Sequence, residues 1–390
     1  METVYDLKNH CYGCGACKNI CPTIAIHMEE DEEGFLYPNV NKSKCIDCGR
    51  CQAVCPIDKL DNQSGDYGQE IYGIKHKKEG IRMTSSSGGM FTAISDYILE
   101  RGGTVYGAAY DDSLNICHQR ALTSEARDRM RGSKYVQSNM GEVHKLIRSD
   151  LKEGKQVLFT GTPCQADGLK YYLGDLDTSG LILCDLVCHG VPSNLMWKEY
   201  KQLINKRKGE LKTHYFRTKE YGWHNMRSMN VLMNGKEDDK SILSQVHMSL
   251  FLTNLLLRPC CYTCKYSSFR RVADITIADF WGVERSMKEF DDNKGISLVL
   301  INSQKGKELF LSVENKLLFR ESESSLCRQR NLEQPTGKPV LREDFWKDYY
   351  EHGYEYIAKK YVGCTLKNQL KESIHNGLKA LLLKIPNKHD

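Results

Sequence analysis

Two cysteine runs in the first fifty-six residues constrain this chain more than any other feature. CYGCGACKNICP (Cys11 to Pro22) is followed by CIDCGRCQAVCP (Cys45 to Pro56), and each has the spacing Cys-x-x-Cys-x-x-Cys-x-x-x-Cys-Pro. That spacing is the bacterial ferredoxin pattern for two [4Fe–4S] clusters. Three thiolates at such short intervals wrap one cube of iron and sulfide, while the fourth points away and serves the other run's cluster. Cys11, Cys14 and Cys17 are therefore expected to pair with Cys55, and Cys45, Cys48 and Cys51 with Cys21. Gly13, Gly15 and Gly49 suit this role because they let the backbone curl tightly and aim N–H groups at sulfur.

Zinc and disulfides explain less. Zinc takes four ligands in one closed site, usually two pairs split by a longer loop, and has no use for a third cysteine at the same interval. Disulfides need an oxidising compartment, and METVYDLKNH shows no basic start followed by an apolar signal stretch. Reduced thiols in a cytoplasmic protein are the expectation. At 390 residues the chain has room for two to three domains of about 150 residues each. A net charge of +5, with acidic and basic residues nearly balanced, argues for no nucleic-acid partner. The hydrophobic fraction is 40% and no apolar run reaches membrane-spanning length, so a soluble protein without a transmembrane segment is expected. Of seventeen cysteines, those outside the two runs are Cys117, Cys164, Cys184, Cys188, Cys260, Cys261, Cys264, Cys327 and Cys364.

Between the runs, IHMEEDEEGFLYPNVN reads as an acidic turn flanked by short strands, the hairpin of a small two-cluster domain. DKLDNQSGDYGQ reads as a linker, which sets a boundary near residue 66. Strand and helix patterns then alternate. EIYGIKH (70–76) is a strand, and TSSSGGMFTAISDYILERGG carries Met90, Ile94, Tyr97 and Ile98 at helical spacing, so Ser85 to Gly89 should sit at a helix N-terminus. Such a turn suits phosphate, with Gly88 and Gly89 permitting close approach; an ordinary N-cap explains the same residues. TVYGAAY and NICHQRAL around Asp111, Asp112 and Ser113 read as a hairpin. In RDRMRGSKYVQSN, Arg131, Lys134 and Tyr135 can hold a phosphate and stack on a ring, or form a plain charged loop. QVLFTG is a buried strand before a helix from Pro163 to Leu173, with Cys164 in its first turn. LILCDLVCHGVPS repeats the arrangement, placing Cys188 near a strand end before the helix LMWKEYKQLINKR. Strand-to-helix corners of this kind line one edge of a sheet, where sites form. RPCCYTCKYSSFRRVADITIADFWGV adds a CxxC pair, Cys261 and Cys264, with Cys260 beside it. Four thiolates from three segments can complete a further cluster, and spacing alone allows zinc equally. HYFRTK, MNVLM and ISLVLIN read as strands, QVHMSLFLTNLLL and QKGKELFLSVENK as helices.

The order of a two-cluster ferredoxin head, SSSGG, RGSKYVQ, FTGTPCQ, CHGVPS, RPCCYTCK and ADITIADFWG resembles the coenzyme F420 hydrogenase/dehydrogenase beta-subunit family in its ferredoxin-fused bacterial form. The resemblance runs from residue 1 to about 300. It implies an FAD-containing oxidoreductase with a third [4Fe–4S] cluster beside the flavin, held by Cys164, Cys188, Cys261 and Cys264. It also puts Ser86, Ser87, Gly88, Gly89 and Lys134 at the flavin. Cys260 stands where a small non-ligand is expected and Cys184 where an apolar strand residue would serve, so either is an alternative ligand. His189 and Asp279 are polar candidates near flavin or substrate, or structural groups. No residue presents itself as a general acid or base.

The expected fold class is α+β / α/β: a dicluster ferredoxin-like domain (1–66), then a mixed α/β region bearing the flavin loops (67–209) and the CxxC loop (210–390). Clusters pass single electrons and flavin exchanges one or two, so the chain is expected to link a one-electron carrier, such as ferredoxin or a partner oxidoreductase subunit, to a small-molecule substrate. By resemblance, some fused members are associated with surface-polysaccharide biosynthesis, which suggests a sugar-linked substrate. The alternative is an electron-relay module with no substrate of its own. KNQLKESIHNGLKALLLKI reads as an amphipathic helix that packs on its own domain or meets a partner or membrane surface.

Overall fold

The structure, a computed structural model, describes residues 9–57, 59 and 68–364. The expected linker around residue 66 and the C-terminal amphipathic helix lie outside the described residues.

The N-terminal segment has the ferredoxin form: helices Ala16–Ile20 and Arg50–Ala53 flank an antiparallel hairpin of β1 (Ile26–Glu30) and β2 (Leu36–Val40). Gly15 and Gly49 precede the two short helices with φ of 76° and 69°, a left-handed conformation that glycine adopts without strain.

The remaining chain is built on one eight-stranded sheet. Its strands are β3 (Glu70–His76), β4 (Thr104–Tyr110), β5 (Ile116–Ala121), β6 (Val157–Gly161) and β7 (Leu181–Leu186). After an excursion through β8 (Leu211–Thr218), β9 (Arg227–Leu232) and β10 (Glu237–Asp238), which make a separate antiparallel sheet, the large sheet resumes with β11 (Ile275–Asp279), β12 (Ser297–Ile301) and β13 (Leu317–Ser322). The order is β13-β3-β12-β11-β7-β6-β4-β5. The β4–β6, β6–β7 and β7–β11 pairs are parallel, and the flanking pairs antiparallel. Both faces are covered, so β12 reads SLVLI and is buried throughout, as strands covered on both faces should be. This is the mixed α/β architecture, and the sheet takes strands from both sides of residue 209.

Local differences from the pattern reading have physical causes. The helix read across QVHMSLFLTNLLL spans Ile242–Leu252, and Asn254 then takes φ 66°, which turns the chain so that Leu255, Leu256 and Leu257 enter the core. Helices Val143–Lys152, Arg342–His352 and Tyr354–Val362, and strand β13, were not evident in the sequence pattern. In β13 the side chains after Leu317 are largely exposed, which leaves little apolar alternation to detect. Among the described residues no helix is long and apolar enough to cross a membrane.

Candidate functional site

Three groups of cysteines assemble, and all seventeen thiols are free of disulfides. In the first, the buried Cys14 thiol is pushed well up by burial and then by Cys11 and Cys55, and that of Cys17 by burial, Cys14, Cys11 and Cys55. In the second, burial raises Cys51, followed by Cys48 and Cys21. Burial also acts on Cys21 but is outweighed by the Ala25 N–H, 3.2 Å from its sulfur, and the Thr23 hydroxyl, so this thiol is lowered. Cys45, at the start of the same loop, turns its thiol toward Asp47 Oδ1 at 3.6 Å. In the third, burial raises Cys164, with Cys264, Cys188 and Cys261 adding to it; burial, Cys261 and Cys264 raise Cys188.

Of the two alternative ligands, Cys184 points into the hydrophobic core among Ile182, Ile275 and Val299, and its charged neighbours are Asp185 and Asp274 rather than cysteines. Cys260 is buried beside the Cys261 thiol and is the first cause of that thiol's rise. Cys117, Cys327 and Cys364 stand apart from all three groups.

Backbone N–H groups aimed at sulfur, such as Gly13 N to Cys11 Sγ at 3.4 Å, are the donor set that iron–sulfur thiolates use. No three ligating side chains converge on a single metal ion among the described residues.

The first and third groups adjoin. Helix Pro163–Leu173 lays Gly168 against Cys14, so closely that an added Cβ would lie 2.6 Å from the sulfur. Tyr12 and Tyr266 meet edge to face at 5.2 Å between them, and Tyr266 donates to Asp167 at 2.8 Å. The second group is the outer one: Cys48 is exposed, as are Lys42, Lys44, Ile46 and Arg50 around it.

Beyond the third group, a cavity of about 880 Å³ opens at the carboxyl ends of β6, β7 and β11, the edge where ligands bind in open α/β sheets. Ser86, Ser87, Gly89, Lys134, Cys188, His189 and Asp279 all line it. Gly89 precedes helix Met90–Leu99 with φ 94°, so the first N–H groups of that helix lack intrahelical acceptors at the cavity wall. The serine hydroxyls have structural work. Ser87 Oγ donates to Ile296 O at 2.7 Å, and Ser86 Oγ accepts from Ser133 N at 2.7 Å, which ties the two loops together. Gly88 faces away from the cavity, against the backbones of β3 and β12. Lys134 donates to Arg131 O at 2.9 Å and Gly132 O at 3.1 Å and has no carboxylate partner among the described residues; burial lowers its pKa to about 7. An unpaired cation beside a helix N-terminus fits a phosphate-bearing group.

Several lining residues escaped the sequence reading. Arg217 makes a bidentate pair with Asp279 (2.5 and 3.0 Å) and donates to Tyr135 OH at 3.1 Å. Trp223 donates to Asp279 at 3.0 Å and stacks on Trp281 at 4.9 Å, with Trp281 still 43% exposed at the mouth. Asp279 is thus held by an arginine and a tryptophan, and His189 by Asn254 at 2.6 Å. His118 sets its Nε2 against Thr160 O at 2.9 Å; a carbonyl only accepts, so Nε2 carries the proton and Nδ1 accepts from Ser138. Burial lowers His118 to about 4, which keeps it neutral. Buried Lys219 donates to Ser87 O at 2.6 Å and braces the serine loop from behind. The partners in these contacts lie far apart in sequence, so no local signal marks them.

Residues 154–325 match the family model for the C terminus of the coenzyme F420 hydrogenase/dehydrogenase beta subunit, and residues 10–59 match the 4Fe-4S dicluster domain. No curated protein matches the chain. Among solved structures, a chain of the xenon-derivatized F420-reducing [NiFe] hydrogenase complex from Methanosarcina barkeri is 18% identical, over 78% of this chain and 91% of that one, with a TM-score of 0.45. By its two family matches the chain is iron–sulfur, electron-transfer and oxidoreductase-like, with a 4Fe–4S dicluster domain joined to a region that matches the coenzyme F420 hydrogenase/dehydrogenase beta-subunit family.

Proposed function

We propose that the chain is an iron–sulfur flavoprotein oxidoreductase that exchanges electrons between a one-electron carrier protein and a small molecule. Cys11, Cys14, Cys17 and Cys55 would hold one [4Fe–4S] cluster, Cys21, Cys45, Cys48 and Cys51 a second, and Cys164, Cys188, Cys261 and Cys264 a third. FAD would occupy the cavity. When bound, the clusters supply single-electron transfer and the flavin supplies the conversion to hydride-level chemistry. The observation that carries this reading is the shared cavity, which has Cys188 of the third group on one wall and the Gly89 helix start with the unpaired Lys134 on another. A relay made only of clusters has no use for that anion site.

Each side chain then has a role. Lys134 and the helix N–H groups would neutralise the flavin diphosphate. Ser86, Ser87 and Lys219 hold the loop that presents them. The exposed pole around Cys48 would receive the carrier, whether a ferredoxin or a partner protein. At the mouth, the Trp281 face with Arg285 and Arg328 suits an anionic sugar-linked substrate, in keeping with a role in polysaccharide biosynthesis.

The test is the spectrum and composition of anaerobically purified protein. About twelve irons and one flavin released on denaturation are expected. A protein with clusters and no flavin would be an electron relay.

A further inference from the structure

Arg258 is wholly buried, and it differs from the other buried arginines in one respect. Arg82 pairs with Asp292, Arg127 with Asp96 and Asp128, and Arg342 with Glu33. Arg258 has no carboxylate partner among the described residues. Its donors go to neutral acceptors: Nε to Cys11 O at 2.7 Å, one Nη to Gln137 Oε1 at 2.9 Å, the other to Leu36 O at 3.0 Å. Its guanidinium lies 4.1 Å from the Tyr37 ring centre. A guanidinium stays charged, and a buried charge left without a counter-charge is strongly unfavourable. Something anionic must therefore face it in the working protein.

The groups around its charge identify that anion. They are Cys11, Cys260 and Cys261, together with Tyr37. Cys11 belongs to the first cysteine group and Cys261 to the third. Gly13 fits the same picture: with φ of 68°, it leaves room for Gln137 and the guanidinium, where an added Cβ would lie 2.7 Å from Gln137 Nε2 and 2.9 Å from Arg258 Nη1. The loop between Cys11 and Cys14 packs on the Arg258–Gln137 pair, with Gln137 donating to Tyr12 O at 3.1 Å.

We propose that Arg258 is the shared counter-charge of the two inner clusters and holds both of their reduction potentials up. The inference rests on the reading that the first and third cysteine groups each hold a [4Fe–4S] cluster. A cluster gains negative charge on reduction, so a fixed positive charge beside it favours the reduced form. Arg258 adjoins ligands of both inner groups, whereas Cys48 and Cys51 lie at the outer pole. It therefore biases electrons inward, from the exposed cluster toward the cavity.

The test is a redox titration followed by electron paramagnetic resonance on full-length, cluster-loaded protein, comparing wild type with Arg258→Gln and Arg258→Lys. Removing the charge should shift the reduction equilibrium of both inner clusters about tenfold toward the oxidised form, which is about 59 mV per one-electron couple. The outer cluster should stay at its wild-type potential, and Arg258→Lys, which keeps the charge and changes the hydrogen bonds, should restore the inner potentials. Should Arg258→Gln fail to assemble, Arg258→Lys decides: wild-type potentials support the counter-charge, and a downward shift overturns it. Unchanged inner potentials in Arg258→Gln, or an equal shift of all three clusters, would also overturn it. Wild-type protein with about eight irons defeats the three-cluster reading itself, and with it the shared role, whereas twelve irons with immobile potentials defeats Arg258 alone.

Discussion

Gly88→Ala separates two accounts of the serine–glycine loop. If Gly88 served to let backbone approach a phosphate, a methyl group there would cost flavin affinity and leave the fold alone. The structure assigns it a packing role. An added Cβ would lie 2.0 Å from Ile74 O and 2.5 Å from Ser297 N, well inside the 3.0 Å that real Cβ atoms keep. Both obstacles are backbone atoms of sheet strands, so no side chain can swing aside. Either the strands yield, at about 1–3 kcal/mol for an overpacked site, or the loop lifts. Lifting breaks the bonds from His76 N to Gly88 O (2.8 Å) and from Gly88 N to Ser297 Oγ (2.9 Å), worth about 1 kcal/mol each. The expected loss is about 2–4 kcal/mol in urea unfolding of flavin-free protein. Gly132→Ala is the control: its φ is 79° but nothing lies within 4 Å, so only left-handed strain of about 1 kcal/mol applies. Flavin binding to Gly88→Ala should weaken as well, because Ser86, Ser87 and Gly89 move with the loop. A Gly88→Ala protein as stable as wild type that nonetheless loses flavin would refute the packing argument and restore the phosphate role.

Cys264→Ala should remove about four irons from a full count of about twelve and leave the N-terminal pair intact, whereas Cys184→Ala should keep them all; iron analysis distinguishes the two, and a full count in Cys264→Ala refutes the ligand set. Lys134→Met should weaken flavin binding by about 1–3 kcal/mol in a fluorescence titration. Because burial holds the free Lys134 near pKa 7, an arriving phosphate must restore its proton, so wild-type affinity should fall as pH rises from about 7 to 9 while Lys134→Met stays flat. In flavin-free protein the sign reverses: the folded pKa lies below the unfolded one, so the fold gains stability as pH rises through that window, and an unchanged unfolding midpoint would count against a desolvated Lys134. Gly168→Ala should push the helix off Cys14 and weaken magnetic coupling between the inner clusters, and coupling identical to wild type would show that the contact is not what sets their distance.

What the sequence disclosed, and what it withheld, divides along chain distance. Cysteine spacing within each run is a local property, and so is the strand–turn–helix rhythm that marks EIYGIKH, QVLFTG and the helix Pro163–Leu173. Alternation and caps act over a few residues and survive translation into structure. The strand order is different in kind, since β3 pairs with β12 and β13, more than two hundred residues away. The residues that unite the centres are equally remote from one another. Arg258 reaches Cys11, Gly168 meets Cys14 and Lys219 holds Ser87, and none of these carries a motif, because an arginine or glycine becomes special only through what folding brings to it. The same limit explains Gly88, whose local pattern suits a phosphate turn while its surroundings make it a packing glycine. From these contacts the centres acquire a sequence in space: an exposed pole at Cys48, a buried first group that touches the third through Gly168 and Tyr12, and a third whose Cys188 opens on the cavity. Cys48 is the one exposed cysteine of the seventeen, so under the proposed function a one-electron partner would approach at the outer pole while a small molecule would enter by the cavity. That separation would keep carrier and substrate from meeting except through the chain.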